Sequence, residues 1–318
     1  MKLLIQFSGE HPTLPYAEFE GVLRGEGLKH KLLEEYSAER LVVAKVKAEH
    51  SSFLTRLALA RRVCSYVGSS ADLDVLADNL YPLLNGGSFK VSCKSMRVSE
   101  RLGGILHGRG LRVDVHAPDA VVEVFLADRK FHAGIRIPLN QDFEKRKPQH
   151  RPFFHPTSMH PKFARALVNL AEVKAGETLL DPFCGTGGIL IEAGLMGVNV
   201  AGLDIDEKMV EGCKKNLDKY KIKGDIQKGD ARSSVFQADA IATDPPYGRS
   251  SFVSGKDPIS LYVEFIENAA KHISPGRCMV LMAPQHYDLD FPGLDEKAHI
   301  DLRMHKSLTR RIWVLTKK

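Results

Sequence analysis

Five short segments in the second half of the chain, residues 177–181, 198–204, 224–228, 238–243 and 277–283, read as strands and alternate with segments of helical spacing. Those segments are 188–196, 207–219 (Met209, Cys213, Leu217) and 260–273 (Leu261, Phe265, Ile266, Ala269). Strands that alternate with helices form a mostly parallel, doubly wound sheet. Right-handed crossovers bring the strands' carboxyl ends to one edge, where open α/β sheets bind ligands. Two runs reach that edge at an acid followed by proline: Leu179-Leu180-Asp181-Pro182 and Thr243-Asp244-Pro245-Pro246-Tyr247-Gly248. Two consecutive prolines cannot continue a ladder, so the backbone leaves the sheet at Pro245.

The second of these sites suits an amine. A carboxylate at Asp244 accepts hydrogen bonds, the Pro245 carbonyl is a second acceptor of fixed direction, and Tyr247 offers a flat face to a planar base. Together they cradle an exocyclic NH2 of a nucleobase. Taken alone, the motif reads equally as a strand-ending turn with a capping aspartate. The first site continues as Phe183-Cys184-Gly185-Thr186-Gly187-Gly188, where glycines let the backbone bend and approach a ligand. Asp204 ends the next apolar run, 23 residues after Asp181, where a carboxylate grips a ribose diol. A nicotinamide fingerprint beginning at Gly185 requires glycine at position 190, which is Leu190.

Asp-x-x-x-Gly-x-Gly, in residues 181–187, resembles the first motif of S-adenosyl-L-methionine (SAM) methyltransferases. Paired with Asp-Pro-Pro-Tyr, it resembles the amino-methyltransferases of nucleic-acid bases. The resemblance implies that Asp181, Phe183, Gly185, Thr186, Gly187, Asp204, Ile205, Asp230 and Ala231 hold SAM, with Asp230 accepting from the adenine amine. Asp230 reads equally as a helix cap. Phe153-Phe154-His155-Pro156-Thr157-Ser158-Met159-His160-Pro161 matches a segment that, in this family, closes over the cofactor through Thr157 and Met159. A plain domain-entry turn is the alternative. His155 and His160 lie five apart across prolines, which is poor geometry for a metal pair.

Composition narrows the partners. Hydrophobic residues make up 43% and charged residues 26% of 318, ordinary for a soluble globular protein, and no apolar run approaches a membrane span. The five cysteines are scattered without a Cys-x-x-Cys, which argues for reduced thiols in a cytoplasm. The net charge is +6, and residues 88–151 hold 13 Lys+Arg against 7 Asp+Glu. That concentration favours a polyanion, although a solvated lysine-rich face has the same composition.

Within this segment, Phe89-Lys90-Val91-Ser92-Cys93-Lys94, Arg101-Leu102-Gly103-Gly104 and Val113-Asp114-Val115 through Pro118-Asp119 resemble the THUMP domain of RNA-modifying enzymes. The resemblance implies tRNA binding, and Lys90, Lys94, Arg97 and Arg101 are the expected contacts. A basic loop, residues 305–311, adds Arg310. In front, Tyr16–Gly25 and Ser51–Ala60 read as helices, and Leu3–Phe7 and Arg40–Val46 as strands. Residues 139–153 read as an extended charged linker with no room for a core.

The expected fold class is α/β, a Rossmann-like doubly wound SAM methyltransferase domain (154–318). Ahead of it stand a ferredoxin-like α+β unit (1–66), a THUMP-like domain (67–138) and the linker (139–153). The whole chain resembles archaeal-type tRNA guanine-10 N2-methyltransferases. That resemblance implies transfer of one or two methyl groups from SAM to a tRNA guanosine amine. The expected partner is tRNA, with no membrane, no metal and a monomeric cytoplasmic chain. The alternatives are a THUMP-bearing N2-guanine methyltransferase for another tRNA or rRNA guanosine, and a non-catalytic RNA-binding protein with a relic methyltransferase fold.

Overall fold

A computed structural model describes residues 1–139, 141–247, 258–305 and 308–318. Gly248 of the second motif and Lys306 and Ser307 of the basic loop lie outside the described residues. The chain divides into two compact units: Met1–Glu10, Leu28–Thr55 and Ala60–Asn140 form one, and His11–Gly27, Arg56–Leu59 and Gln141–Lys318 form the other. Helix α1 (Leu14–Gly25) thus belongs to the second unit, although it follows the first strand.

The first unit is built on one eight-stranded sheet. Its strands are β1 (Lys2–Phe7), β2 (His30–Tyr36), β3 (Leu41–Val46), β4 (Ala60–Ser70), β5 (Ser88–Cys93), β6 (Arg112–Val113), β7 (Ala120–Ala127) and β8 (Lys130–Ile137), in the order β2-β3-β1-β4-β8-β7-β5-β6. Helices α2 (Leu73–Leu80) and α3 (Met96–Gly108) pack on it through Leu76, Leu80, Leu102 and Leu106. The expected boundary at residue 66 falls inside β4, which pairs with β1 on one side and β8 on the other. Residues 51–60 are not the expected helix. A single 3-10 turn (Ser52–Arg56) leads into β4. Phe53, Leu54, Leu57, Ala58 and Leu59 are all buried, so helical spacing could be picked from a run that is apolar on every side.

The second unit carries β9 (Thr178–Asp181), β10 (Asn199–Asp204), β11 (Gly224–Lys228), β12 (Ala240–Thr243), β13 (Cys278–Pro284), β14 (Leu294–His305) and β15 (Leu308–Lys317). Their order is β11-β10-β9-β12-β13-β15-β14. Strands β9 to β13 run parallel, and the hairpin β14–β15 closes the sheet antiparallel to β13. Helices α4 (Pro161–Leu170), α5 (Gly188–Gly194), α6 (Glu207–Lys219) and α7 (Pro258–His272) complete it. The chain winds outward from β9 through β10 to β11, then returns to β12 on the other flank of β9. The switch point therefore lies between β9 and β12, the strands that end in Asp181 and lead to Asp244.

Helix α1 lies against α4 at very short range. A Cβ on Gly21 would sit 2.5 Å from the Asn169 carbonyl oxygen. Beside that contact the buried Glu18 accepts from Ala58 N–H (2.8 Å), Leu59 N–H (2.9 Å) and Asn169 Nδ2 (2.8 Å). The segment expected to be a coreless linker is also packed. It forms two single 3-10 turns, Phe143–Arg146 and Pro148–His150, and Phe143 is buried in the core of the second unit. Arg146 and Arg165 pair with the buried Glu192 of α5, which is why so charged a stretch folds down.

Candidate active site

The two motifs meet at the switch point. Thr243, the last residue of β12, donates its hydroxyl to Asp181 Oδ1 at 2.7 Å, and Phe183 N–H donates to the same oxygen at 3.2 Å. Asp181 is buried, and that burial pushes its carboxyl up to about 7. Asp181 thus braces the site from beneath.

Beyond it the chain turns through Gly185 (φ 49°) and Gly187 (φ 79°), both in the left-handed region that favours glycine. A Cβ on Gly187 would lie 2.7 Å from Cys213 Sγ, so the loop sits directly on α6. Asn216 of α6 clamps this loop. Its Nδ2 donates to the carbonyls of Thr186 and Phe153 (2.9 Å each), and its Oδ1 accepts from Phe153 N–H at 2.9 Å. Ser158 and Thr186 share a hydroxyl hydrogen bond of 2.9 Å. Residues 153–160 are therefore fastened along the glycine loop, with Met159 packed on the core. Thr157 is exposed and bonded to His155 Nδ1 at 2.8 Å. His160 caps α4 through Nδ1, which accepts from Lys162 N–H. Among the described residues no group of three His, Cys, Asp or Glu could hold a metal ion.

Asp204 ends β10 beside the loop. Its Oδ2 accepts from Gly185 N–H and its Oδ1 from Asp206 N–H, each at 2.9 Å. Burial pushes its carboxyl up, against those backbone donors, which favour the charged form. The Ile205 N–H also acts on this carboxylate, whose four lone pairs still leave one for a diol hydroxyl. Ile205 next to it is 66% exposed, an apolar surface beside the acid. Phe183 meets Phe265 edge to face at 5.1 Å. A glycine loop, an acid and an open apolar side chain fit a nucleoside with little need for a phosphate cradle. Asp230 is engaged more fully than expected. Arg232 Nε donates to both its oxygens (2.9 and 3.1 Å), and Arg232 also reaches Glu264. Ala231 is buried, and its carbonyl accepts from Asn268 Nδ2.

At the second motif, Asp244 meets a partner that sequence reasoning placed elsewhere. Arg310 is not an exposed phosphate contact; its side chain is 3% exposed and pairs in a fork with the Asp244 carboxylate. Nη1 donates to Oδ2 at 2.7 Å and Nη2 donates to Oδ1. Arg310 Cζ also stands 4.2 Å from the centre of the Tyr247 ring. The reason is topological. Strand β15 runs antiparallel to β13, with Arg310 opposite Pro284, so its first residues lie at the edge where the parallel strands end. Burial pushes the Asp244 carboxyl up, and the guanidinium opposes that rise. The Pro245 carbonyl accepts from the buried Tyr262 hydroxyl at 3.2 Å, which fixes its direction. A carbonyl oxygen has a second lone pair to offer.

In the first unit Lys94 is in the turn after β5, and Arg97 and Arg101 lie one helical turn apart on α3; all three are exposed. Lys90 is half-buried and donates to the Val115 carbonyl at 3.3 Å.

Fold and site together define a methyltransferase on a Rossmann-like, doubly wound sheet. A family described as RMKL-like, methyltransferase domain matches residues 148–292, and a DNA methylase family matches residues 79–215. The tRNA (guanine(10)-N2)-dimethyltransferase of Methanothermobacter thermautotrophicus is 39% identical, with 99% of each chain covered. That of Pyrococcus abyssi is 36% identical, over 86% of this chain and 88% of the other. The crystal structure of TrmN from Thermus thermophilus shares the fold over the full length of both chains, with a TM-score of 0.57 at 24% identity. The chain belongs to the tRNA (guanine(10)-N2)-dimethyltransferase family.

Proposed function

We propose that this enzyme transfers methyl groups from SAM to the N2 amine of guanosine 10 in tRNA, twice in succession. The Asp244-Pro245-Pro246-Tyr247 turn at the switch point, beside the glycine loop, carries the reading. SAM supplies an electrophilic methyl group on a sulfonium. Gly185, Thr186, Gly187 and Asp204 hold its nucleoside and amino-acid ends, Ile205 and Phe183 line the base, and Thr157 and Met159 border it. Asp230 and Ala231 stand at the adenine end.

The amine of guanine is a weak nucleophile, because its lone pair is delocalised into the ring. Hydrogen bonds from that amine to Asp244 and the Pro245 carbonyl localise the pair and aim it at the methyl carbon. Alignment supplies much of the rate. Tyr247 stacks on the base, which must leave its helix to enter. The first unit acts as a THUMP-like tRNA anchor in the cytoplasm through Lys90, Lys94, Arg97 and Arg101. Nucleoside mass spectrometry of unmodified tRNA treated with enzyme and SAM tests the proposal. Dimethylguanosine at position 10 supports it, and methylation at another guanosine replaces it. Asp244→Ala abolishes transfer and leaves SAM affinity within about threefold, since the residue does not contact the cofactor.

A further inference from the structure

We propose that Arg310 is a positioning residue for the transfer step: its fork fixes the Asp244 carboxylate in one plane and keeps it an acceptor. The inference rests on the reading of Asp244 as the amine's partner. A carboxylate offers two lone pairs on each oxygen. The guanidinium takes one on each through Nη1 and Nη2, so one on each is left for an incoming N–H. A protonated carboxyl instead presents an O–H to that amine, donor against donor.

The surroundings make protonation the hazard. Asp244 is 20% exposed, Asp181 lies behind it on β9, and Tyr262 of α7 and Tyr247 of its own turn add no positive charge. Arg310 comes from β15 and is charged at every working pH. The same side chain covers one face of Tyr247, so the ring and the carboxylate are set by one guanidinium. Arg310 is itself held by Nη2 donating to the Met282 carbonyl at 3.4 Å. Its Nε is buried and finds no acceptor among the described residues.

The experiment is single-turnover transfer to unmodified tRNA from pH 5.5 to 9.5 for wild type, Arg310→Gln and Arg310→Lys, with SAM affinity from calorimetry. Arg310→Gln is expected to bind SAM within about threefold of wild type but to lose roughly 100-fold in rate at pH 7. Its acidic limb is expected to move up by about one pH unit or more, with partial recovery toward pH 9. Arg310→Lys keeps the charge without the fork, so its limb stays in place while the rate falls about tenfold. A uniform loss with an unmoved limb in Arg310→Gln assigns Arg310 a purely structural role and overturns the proposal. So does a wild-type rate in either variant. Should Arg310→Gln fail to bind SAM, the neutral Arg310→Met takes its place, with the same limb shift expected and the same unmoved limb overturning the proposal. Wild-type transfer in the same assay checks the underlying reading: if wild type leaves tRNA unmodified, the proposed function falls and this inference with it.

Discussion

The Thr243 hydroxyl on β12 reaches Asp181 Oδ1 on β9 at 2.7 Å, tying the glycine-loop strand to the strand that leads to Asp244 across the switch point. Burial raises the Asp181 carboxyl from 3.8 to about 7. Between about pH 4 and 7 the folded chain therefore keeps a proton that the unfolded chain has released. Stability is highest below this window, falls as pH rises through it, and is level above it. Asp181→Asn keeps an acceptor for Thr243 and Phe183 but does not titrate. Urea unfolding from pH 5 to 8 should show its slope reduced by up to about 1.4 kcal/mol per pH unit.

Glu18 should be less tolerant of the same change. Burial raises its carboxyl to about 7 as well, but its two oxygens accept from three N–H donors. Glu18→Gln turns an amide NH2 toward one of the backbone donors. The expected cost is about 1–3 kcal/mol, read from urea unfolding at pH 8, where Glu18 is a charged acceptor.

Asp204→Ala should weaken SAM. Losing a charge-assisted pair of hydrogen bonds to the ribose costs about ten- to hundredfold in affinity. The variant also frees Gly185 N–H, so part of the loss comes through the loop. Unchanged affinity in calorimetry would remove Asp204 from the ribose site.

Replacing Lys90, Lys94, Arg97 and Arg101 together should weaken tRNA binding and flatten its salt dependence, because fewer counterions are released. A salt titration measures both. Asp244→Ala should change neither.

A fragment beginning at Arg151 should not fold stably. It lacks α1, whose Gly21 seats on α4, and Glu18, which satisfies Asn169. It also lacks Phe143 and Arg146, which leaves Glu192 with one arginine fewer. Circular dichroism of the fragment, against the full chain, checks this.

The sequence by itself determined what is local. Apolar runs ending in Asp-Pro, Pro-Pro and Gly-x-Gly dictate where strands stop and which acids reach the sheet edge, because proline and glycine act on their own backbone. Asp181 and Asp244 were legible for that reason, and Asp204 by its place at the end of the next apolar run. Tertiary structure decided what depends on partners distant in the chain. Helix α1 joins the catalytic unit because Gly21 permits close approach to α4, and no periodicity encodes that choice of partner. Phe143 is buried in a stretch whose charges hid it. Arg310 looked like one more member of a basic loop. Only the antiparallel return of β15 carries it to Asp244, 66 residues away along the chain, where a fork of hydrogen bonds offsets the burial of both charges.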